Sequence, residues 1–152
     1  MNIALGTDHA GFPLKAIVAS SIEAAGHSVI DLGATTIQPE DDYPVYAERV
    51  AKAVQSGRAG RGVVLCGSGV GASVAANKVR GVRAALCHDT FSARQGVEDD
   101  DMNVLCIGAR VVGPSLAQEL VTSFLNARFS DAERHKRRLE EVKAIEARES
   151  GS

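Results

Sequence analysis

The sequence predicts an α/β fold, a doubly wound and mainly parallel sheet sandwiched by helices, with a charged helix at the C-terminal end. Three observations carry this. Short apolar runs ending in Gly or Asp alternate with stretches of helical period, the order expected when parallel strands are joined through helical crossovers. The run RGVVLCG, residues 61–67, shows no polar alternation, as a strand buried on both faces requires. A turn carrying Gly67, Gly69 and Gly71 follows it directly, at the carboxyl end of a strand, where ligands bind in such sheets.

Each element can be justified in order. NIALGTD, residues 2–8, reads as the first strand. FPLKAIVASSIEAAG, 12–26, reads as a helix with Pro13 in its first turn and Gly26 as its stop; a missing N–H is harmless at the one place and left-handed freedom is useful at the other. HSVIDLG, 27–33, is a second strand, and the following ATTIQPEDDYP is too polar and broken for regular structure. VYAERVAKAVQSG, 45–57, sets Val45, Ala47, Val50, Ala51 and Val54 near one helical face. Beyond the third strand, ASVAANKVRG reads as a helix, GVRAALCHD and MNVLCIGA as two successive strands, and PSLAQELVTSFLNARF as a helix. The whole order is that of a Rossmann-like sheet. After Phe129 the segment SDAERHKRRLEEVKAIEARES is mostly charged, with Leu139, Val142 and Ile145 as its larger apolar residues. Its plainest reading is a solvated amphipathic helix. Arg134 and Arg138 lie four apart on one face of it, a spacing at which two guanidinium groups can converge on a phosphate dianion.

Bulk properties narrow the function. At 152 residues one domain is expected over residues 1–149, with 150–152 as a tail; a chain of this size buries about two-thirds of its surface on folding. A formal net charge of −2 gives no global basic field to recruit nucleic acid or a membrane surface, so the partner is expected to be a small molecule. No apolar stretch approaches the roughly 18 residues of a membrane span, and MNIALGTDHAG lacks the basic and apolar regions of a signal peptide. A cytoplasmic protein is the simplest expectation. Cys66, Cys87 and Cys106 each lie in or at the end of an apolar run without C-x-x-C spacing, which points to free thiols and to no zinc or other metal site.

The stretch CGSGVGAS poses the functional question. Gly67-x-Gly69-x-x-Ala72 satisfies the dinucleotide-binding pattern, and Asp89 follows the next strand about 20 residues on, where a ribose-binding acid would stand. Against that reading, the pattern follows the third strand rather than the first, and little chain remains for a catalytic domain. The cysteine directly before the turn favours another. A thiol at a strand end, facing the amides of a glycine turn that opens a helix, has surroundings that favour a thiolate, and the same amides can hold a developing oxyanion. A cysteine flanked by apolar residues is more often buried filler; Cys87 and Cys106, inside strands, keep that reading.

GTDHAGFPLK (6–15), DYP (42–44), CGSGVGASVAANKVRGVRA (66–84), DMNVLCIGARVVG (101–113) and RHKRR (134–138) together resemble the ribose-5-phosphate isomerase B family, which includes the galactose-6-phosphate isomerase subunits. The resemblance spans nearly the whole chain and keeps the motif order. It implies an aldose–ketose isomerase of phosphorylated sugars that uses no cofactor and works as a homodimer, or a dimer of dimers, with sites at the subunit interface. Cys66 matches the family's base; where some members carry a glutamate at the end of the glycine turn, this chain has Ala72. Ser68 matches a hydroxyl able to shuttle a proton, and the amides of Gly67, Gly69, Val70 and Gly71 are expected to carry the enediolate charge. Asp8 and His9 match a pair that binds substrate hydroxyls and phosphate, with Tyr43 closing one side. Arg134, His135 and Arg138 match the phosphate-binding set, and Arg110 is expected to reach across from the second subunit.

One departure stands out. Family members usually carry His-Asn in a loop before the N-V-L strand, the histidine being assigned to opening the sugar ring. This chain has Asp99 and Asp100 there, in GVEDDDMN; carboxylates can do acid–base work, so Asp99 is expected in the catalytic place and Asp100 as a substrate contact. A carboxylate already ionised at neutral pH is a poor acid, so ring opening is the part of the mechanism the resemblance does not supply. The plain alternative is that these acids form a solvated loop.

Overall fold

The computed structural model describes residues 1–151; Ser152, the end of the expected tail, lies outside the described residues. Strands β1 (Asn2–Thr7), β2 (Ser28–Asp31), β3 (Arg61–Cys66), β4 (Ala84–Leu86) and β5 (Val104–Gly108) form one sheet in the order β2-β1-β3-β5-β4. All four pairings are parallel. Parallel neighbours need a crossover, and four helices supply it: α1 (Lys15–Ala24), α2 (Tyr43–Gln55), α3 (Val70–Ala76) and α4 (Thr90–Asp100), with α5 (Pro114–Asn126) and α6 (Glu133–Glu149) following the last strand.

Strand alternation divides the core between the two faces of the sheet. Ile3, Leu5, Val63, Leu65, Leu105 and Ile107 pack with Val18 and Ile22 of α1, Val97 of α4, and Leu120, Val121 and Phe124 of α5. The intervening residues Ala4, Val64, Cys66, Val104 and Cys106 pack with Ala47, Val50 and Ala51 of α2 and with Ala72 and Ala76 of α3. Small residues let that second layer sit close. A Cβ on Gly6 would lie 2.7 Å from a Val50 methyl.

The expected doubly wound sheet is present, entirely rather than mainly parallel. The expected succession of two strands across residues 81–108 is corrected, because α4 runs between them, as parallel β4 and β5 demand. Its sequence, TFSARQGVEDD, buries only Ala93 and Val97 and contains Gly96, so its helical period is faint. Asp89 starts it, its carboxylate accepting the Ser92 N–H at 2.7 Å, the usual task of an N-cap aspartate. Helix α3 ends at Ala76, earlier than expected, because Asn77 turns to bond the main-chain N–H and C=O of Ala84 at 2.8 Å each.

The chain leaves β1 toward β2 on one side and returns to β3 on the other. The carboxyl ends of β1 and β3 therefore open onto a crevice at the point where the winding reverses, where open α/β sheets place their ligands.

Candidate active site

A cavity of about 230 Å³ lies at that point, lined by Asp8, His9, Ala10, Tyr43, Cys66, Gly67, Ser68, Gly71 and Arg110. Asp8 and His9 follow β1, Cys66 ends β3, Tyr43 begins α2 and Arg110 follows β5. Residues distant in sequence are thus brought together by strand order alone.

Cys66 is 5% exposed, and its Sγ accepts the Gly69 N–H at 3.1 Å. Gly69 can aim its amide back at the sulfur because its φ is +81°, a conformation that glycine adopts without cost. A side chain there would also meet Ile107 and Gly108 main-chain atoms at 3.0 and 3.1 Å. Val70 N–H donates to Ser68 Oγ at 3.3 Å. Of the four amides expected to carry an enediolate, those of Gly69 and Val70 are therefore already engaged, while Gly67 and Gly71 remain on the cavity wall. Tyr43 lines the cavity, and only a glycine fits beneath its ring; a Cβ on Gly71 would lie 2.6 Å from Cζ.

The other two thiols behave as core atoms. Burial pushes the Cys87 thiol up to about 11, with the Asp89 charge adding to it, and burial pushes Cys106 higher still. Both stay neutral at physiological pH.

Asp8 is buried, and one of its oxygens accepts the Gly11 N–H at 2.9 Å, which fixes the turn entering α1. His9 is held by a residue the sequence did not single out. Asp41 Oδ1 bonds both Nδ1 of His9 at 2.7 Å and its main-chain N–H at 3.1 Å. Burial alone would raise the Asp41 carboxyl, but the His9 ring and amide bonds and the Tyr46 phenol outweigh it and hold it below its ordinary value. Tyr46 is correspondingly raised, first by burial and then by Asp41. The only sequence signal for Asp41 was its place in the acidic run before DYP, which read as loop. Donor atoms of Asp8, His9 and Asp41 all lie within 4.8 Å of one another, a set able to hold a cation, although the hydrogen bonds just described already account for the approach.

The remaining expected residues lie elsewhere on the chain. Asp99 and Asp100 belong to the last turn of α4, not to a loop, so the expectation of a solvated acidic loop is corrected. Asp99 Oδ2 accepts from Gln95 Nε2 at 2.6 Å, and Oδ1 lies 3.4 Å from His135 Nε2. Asp100 instead borders a separate groove beside Leu139, Val142 and Ile145. His135 is 5% exposed, with Nδ1 2.6 Å from Ser130 Oγ. Its Nδ1 is bonded within α6's own approach and its Nε2 faces Asp99, so the ring sits between α6 and α4. Arg134 and Arg138 are exposed on α6, away from the Cys66 cavity. Arg110, expected to reach in from a partner, lines the cavity of its own chain. Its amide donates to Gly67 O at 3.0 Å, which starts its side chain at the rim of the glycine turn.

A sequence profile described as Ribose/Galactose Isomerase matches residues 3–142. The chain belongs to that family. It is 44% identical to "Ribose-5-phosphate isomerase B" of Escherichia coli over 146 residues, 96% of this chain and 97% of that protein. It is 39% identical to "D-erythrulose-4-phosphate isomerase" of Pectobacterium atrosepticum over 129 residues, 85% of each. Among solved structures, type B ribose 5-phosphate isomerase from Trypanosoma cruzi superposes with a TM-score of 0.94 at 42% identity, over 97% of this chain and 99% of that one. Membership in this isomerase family removes the dinucleotide-binding alternative, and the geometry agrees, since Asp89 is occupied as a helix cap. Among the described residues no helix is long and apolar enough to cross a membrane.

Proposed function

We propose that the chain interconverts aldose and ketose sugar phosphates by proton transfer through an enediolate, with ribose 5-phosphate and ribulose 5-phosphate as its substrate pair. The observation that carries this is the position of Cys66, whose sulfur ends β3 inside a cavity that also gathers Asp8, His9, Ser68 and Arg110. As a thiolate it removes the proton from C2 of the open-chain aldose and returns it to C1. The Gly67 and Gly71 amides take up charge on the enediolate oxygens, and Ser68 Oγ moves a proton between O1 and O2. No step calls for a redox cofactor.

The phosphate is held by Arg134 and Arg138 of a second copy, in a cytoplasmic homodimer. Two features support this. The two arginines are exposed and lie outside their own chain's cavity, and the exposed apolar side chains Val70, Val74, Phe91 and Val111 form part of the unburied surface that a partner would cover. Ketose formation from a panel of aldose phosphates, with sedimentation to give the subunit number, tests the reading.

A specific observation favours a second substrate. Asp99 stands where the family usually carries the ring-opening histidine. A tetrose 4-phosphate needs no such group, because its O4 is esterified and cannot close a furanose ring, and a relative named for a four-carbon substrate is 39% identical. Comparing erythrose 4-phosphate with ribose 5-phosphate in the same assay decides between them.

A further inference from the structure

A pentose 5-phosphate exists mainly as a furanose, in which the carbonyl needed for isomerisation is masked as a hemiacetal. Opening it requires one proton to leave the anomeric hydroxyl and one to reach the ring oxygen, work suited to an imidazole. Of the four histidines, His27 sits at the amino terminus, 3.1 Å from the Met1 amino group. His88 Nε2 accepts the Gly108 N–H at 3.0 Å, and His135 is buried with Nδ1 against Ser130 and Nε2 facing Asp99, outside the Cys66 cavity. His9 alone lines the Cys66 cavity. Its Nδ1 is taken by Asp41, and among the described residues no partner engages its Nε2.

Asp41 is built to serve His9. Its side chain is 10% exposed, and its Oδ1 accepts from both the ring and the main-chain N–H of His9, with the Tyr46 phenol as its further polar neighbour. Its Oδ2 is buried, so the carboxylate faces His9 rather than solvent. It does not cap the neighbouring helix, whose N-cap residue is Asp42. A carboxylate bonded to Nδ1–H fixes the tautomer, offers Nε2 as the reactive nitrogen and compensates the imidazolium when a proton arrives.

We propose that Asp41 and His9 form the ring-opening dyad, with His9 catalytic and Asp41 its positioning residue. Nε2 of His9 takes the proton from the anomeric hydroxyl as the C1–O1 double bond forms. The bond from C1 to the ring oxygen breaks, its electron pair passes to that oxygen, and His9 returns the proton there. The dyad ends as it began, and the open-chain aldose is left beside Cys66. This rests on the isomerase reading above.

The test compares wild type, Asp41→Ala and Asp41→Asn on ribose 5-phosphate, which must open, and erythrose 4-phosphate, which has no furanose to open. Asp41→Ala is expected to lower kcat on ribose 5-phosphate at least about 10-fold more than kcat on erythrose 4-phosphate. Asp41→Asn keeps an acceptor without the charge and is expected to fall between; it also carries the comparison should the alanine variant fold poorly. Nitrogen-15 NMR of the ligand-free protein is expected to show His9 protonated on Nδ1 in wild type, and to lose that preference in Asp41→Ala. Equal losses on both substrates, or an unchanged tautomer in Asp41→Ala, would overturn the dyad. So would a wild-type enzyme active on erythrose 4-phosphate alone, which leaves the isomerase reading standing. A wild type inert toward both sugars overturns that reading and the dyad with it.

Discussion

The amide of Gly69 donates to the sulfur of Cys66 across 3.1 Å. That contact joins the two halves of the CGSGVGAS motif. The left-handed backbone of Gly69 turns its N–H toward the strand end instead of outward, so the sulfur becomes an acceptor in the free chain. Cys66 is nearly as buried as Cys87, at 5% and 3% exposure, yet it alone of the three cysteines borders the cavity. Burial does not separate a reactive cysteine from a structural one here, whereas strand position and the following turn do.

Cys66→Ala is expected to abolish turnover, with a loss of at least about 10²–10⁴ in rate, because a positioned base is removed. Sugar-phosphate binding should persist, since the thiol acts on a carbon-bound proton and does not hold the phosphate. Calorimetry with ribose 5-phosphate and steady-state rates on the same variant check both halves. Near-normal turnover would remove Cys66 from the mechanism. In wild type, iodoacetamide should inactivate the protein and substrate should protect it.

The two core thiols should make the fold sensitive to alkaline pH. Burial holds Cys87 at about 11 against an ordinary 9.0, and Cys106 is raised further, so both remain protonated in the fold after they would ionise in the unfolded chain. Their contribution to stability is complete below pH 9.0. For Cys87 it is lost as pH rises from 9.0 through about 11, where the unfolded state has released a proton that the native state retains. The urea midpoint should fall across that interval, and less steeply in Cys87→Ala. Mass spectrometry after brief alkylation at pH 8 should find Cys66 modified and the other two unmodified; uniform labelling would contradict the core assignment.

On α6, Arg134→Ala or Arg138→Ala is expected to raise KM for phosphorylated substrates, each change removing a charge-assisted contact worth roughly 1.5–3 kcal/mol. kcat should change less. Truncation after Phe129 should abolish activity by removing both. Wild-type KM in both single variants would reduce α6 to a packing element, a role that His135 and Leu139, its buried residues, already give its inner face.

The sheet was legible in the sequence because its central strands β1, β3 and β5 are buried on both faces and read as unbroken apolar runs. Cys66, Asp8, His9 and Tyr43 were legible because each stands at the end of an element beside a recognisable motif. Helix α4 was not, since two buried residues in eleven leave almost no period to detect. Asp41 was hidden for a different reason. Its meaning lies in a bond to His9, 32 positions away, and nothing local distinguishes it from Asp42, which begins a helix. The split of the expected site between the Cys66 cavity and the α4–α6 surface was equally invisible, because a motif list gives chemistry without giving direction.

Asp99 offers the sharpest remaining test of substrate. Its carboxylate accepts from Gln95 and lies 3.4 Å from the buried His135. If His9 opens the ring, Asp99→His adds nothing the enzyme lacks, and kcat/KM on ribose 5-phosphate should stay level or fall as the contact to His135 is lost. Were the enzyme instead adapted to a substrate that never cyclises, the new histidine would raise kcat/KM on ribose 5-phosphate alone and leave erythrose 4-phosphate unchanged. Allose 6-phosphate, a hexose that also cyclises, serves as the third arm, since a gain shared by it and ribose 5-phosphate would mark ring opening as the limiting step. The expected result is no gain on either cyclic sugar; a gain of about 10²-fold or more, the lower end of what general acid catalysis supplies, would assign the natural substrate to the four-carbon class.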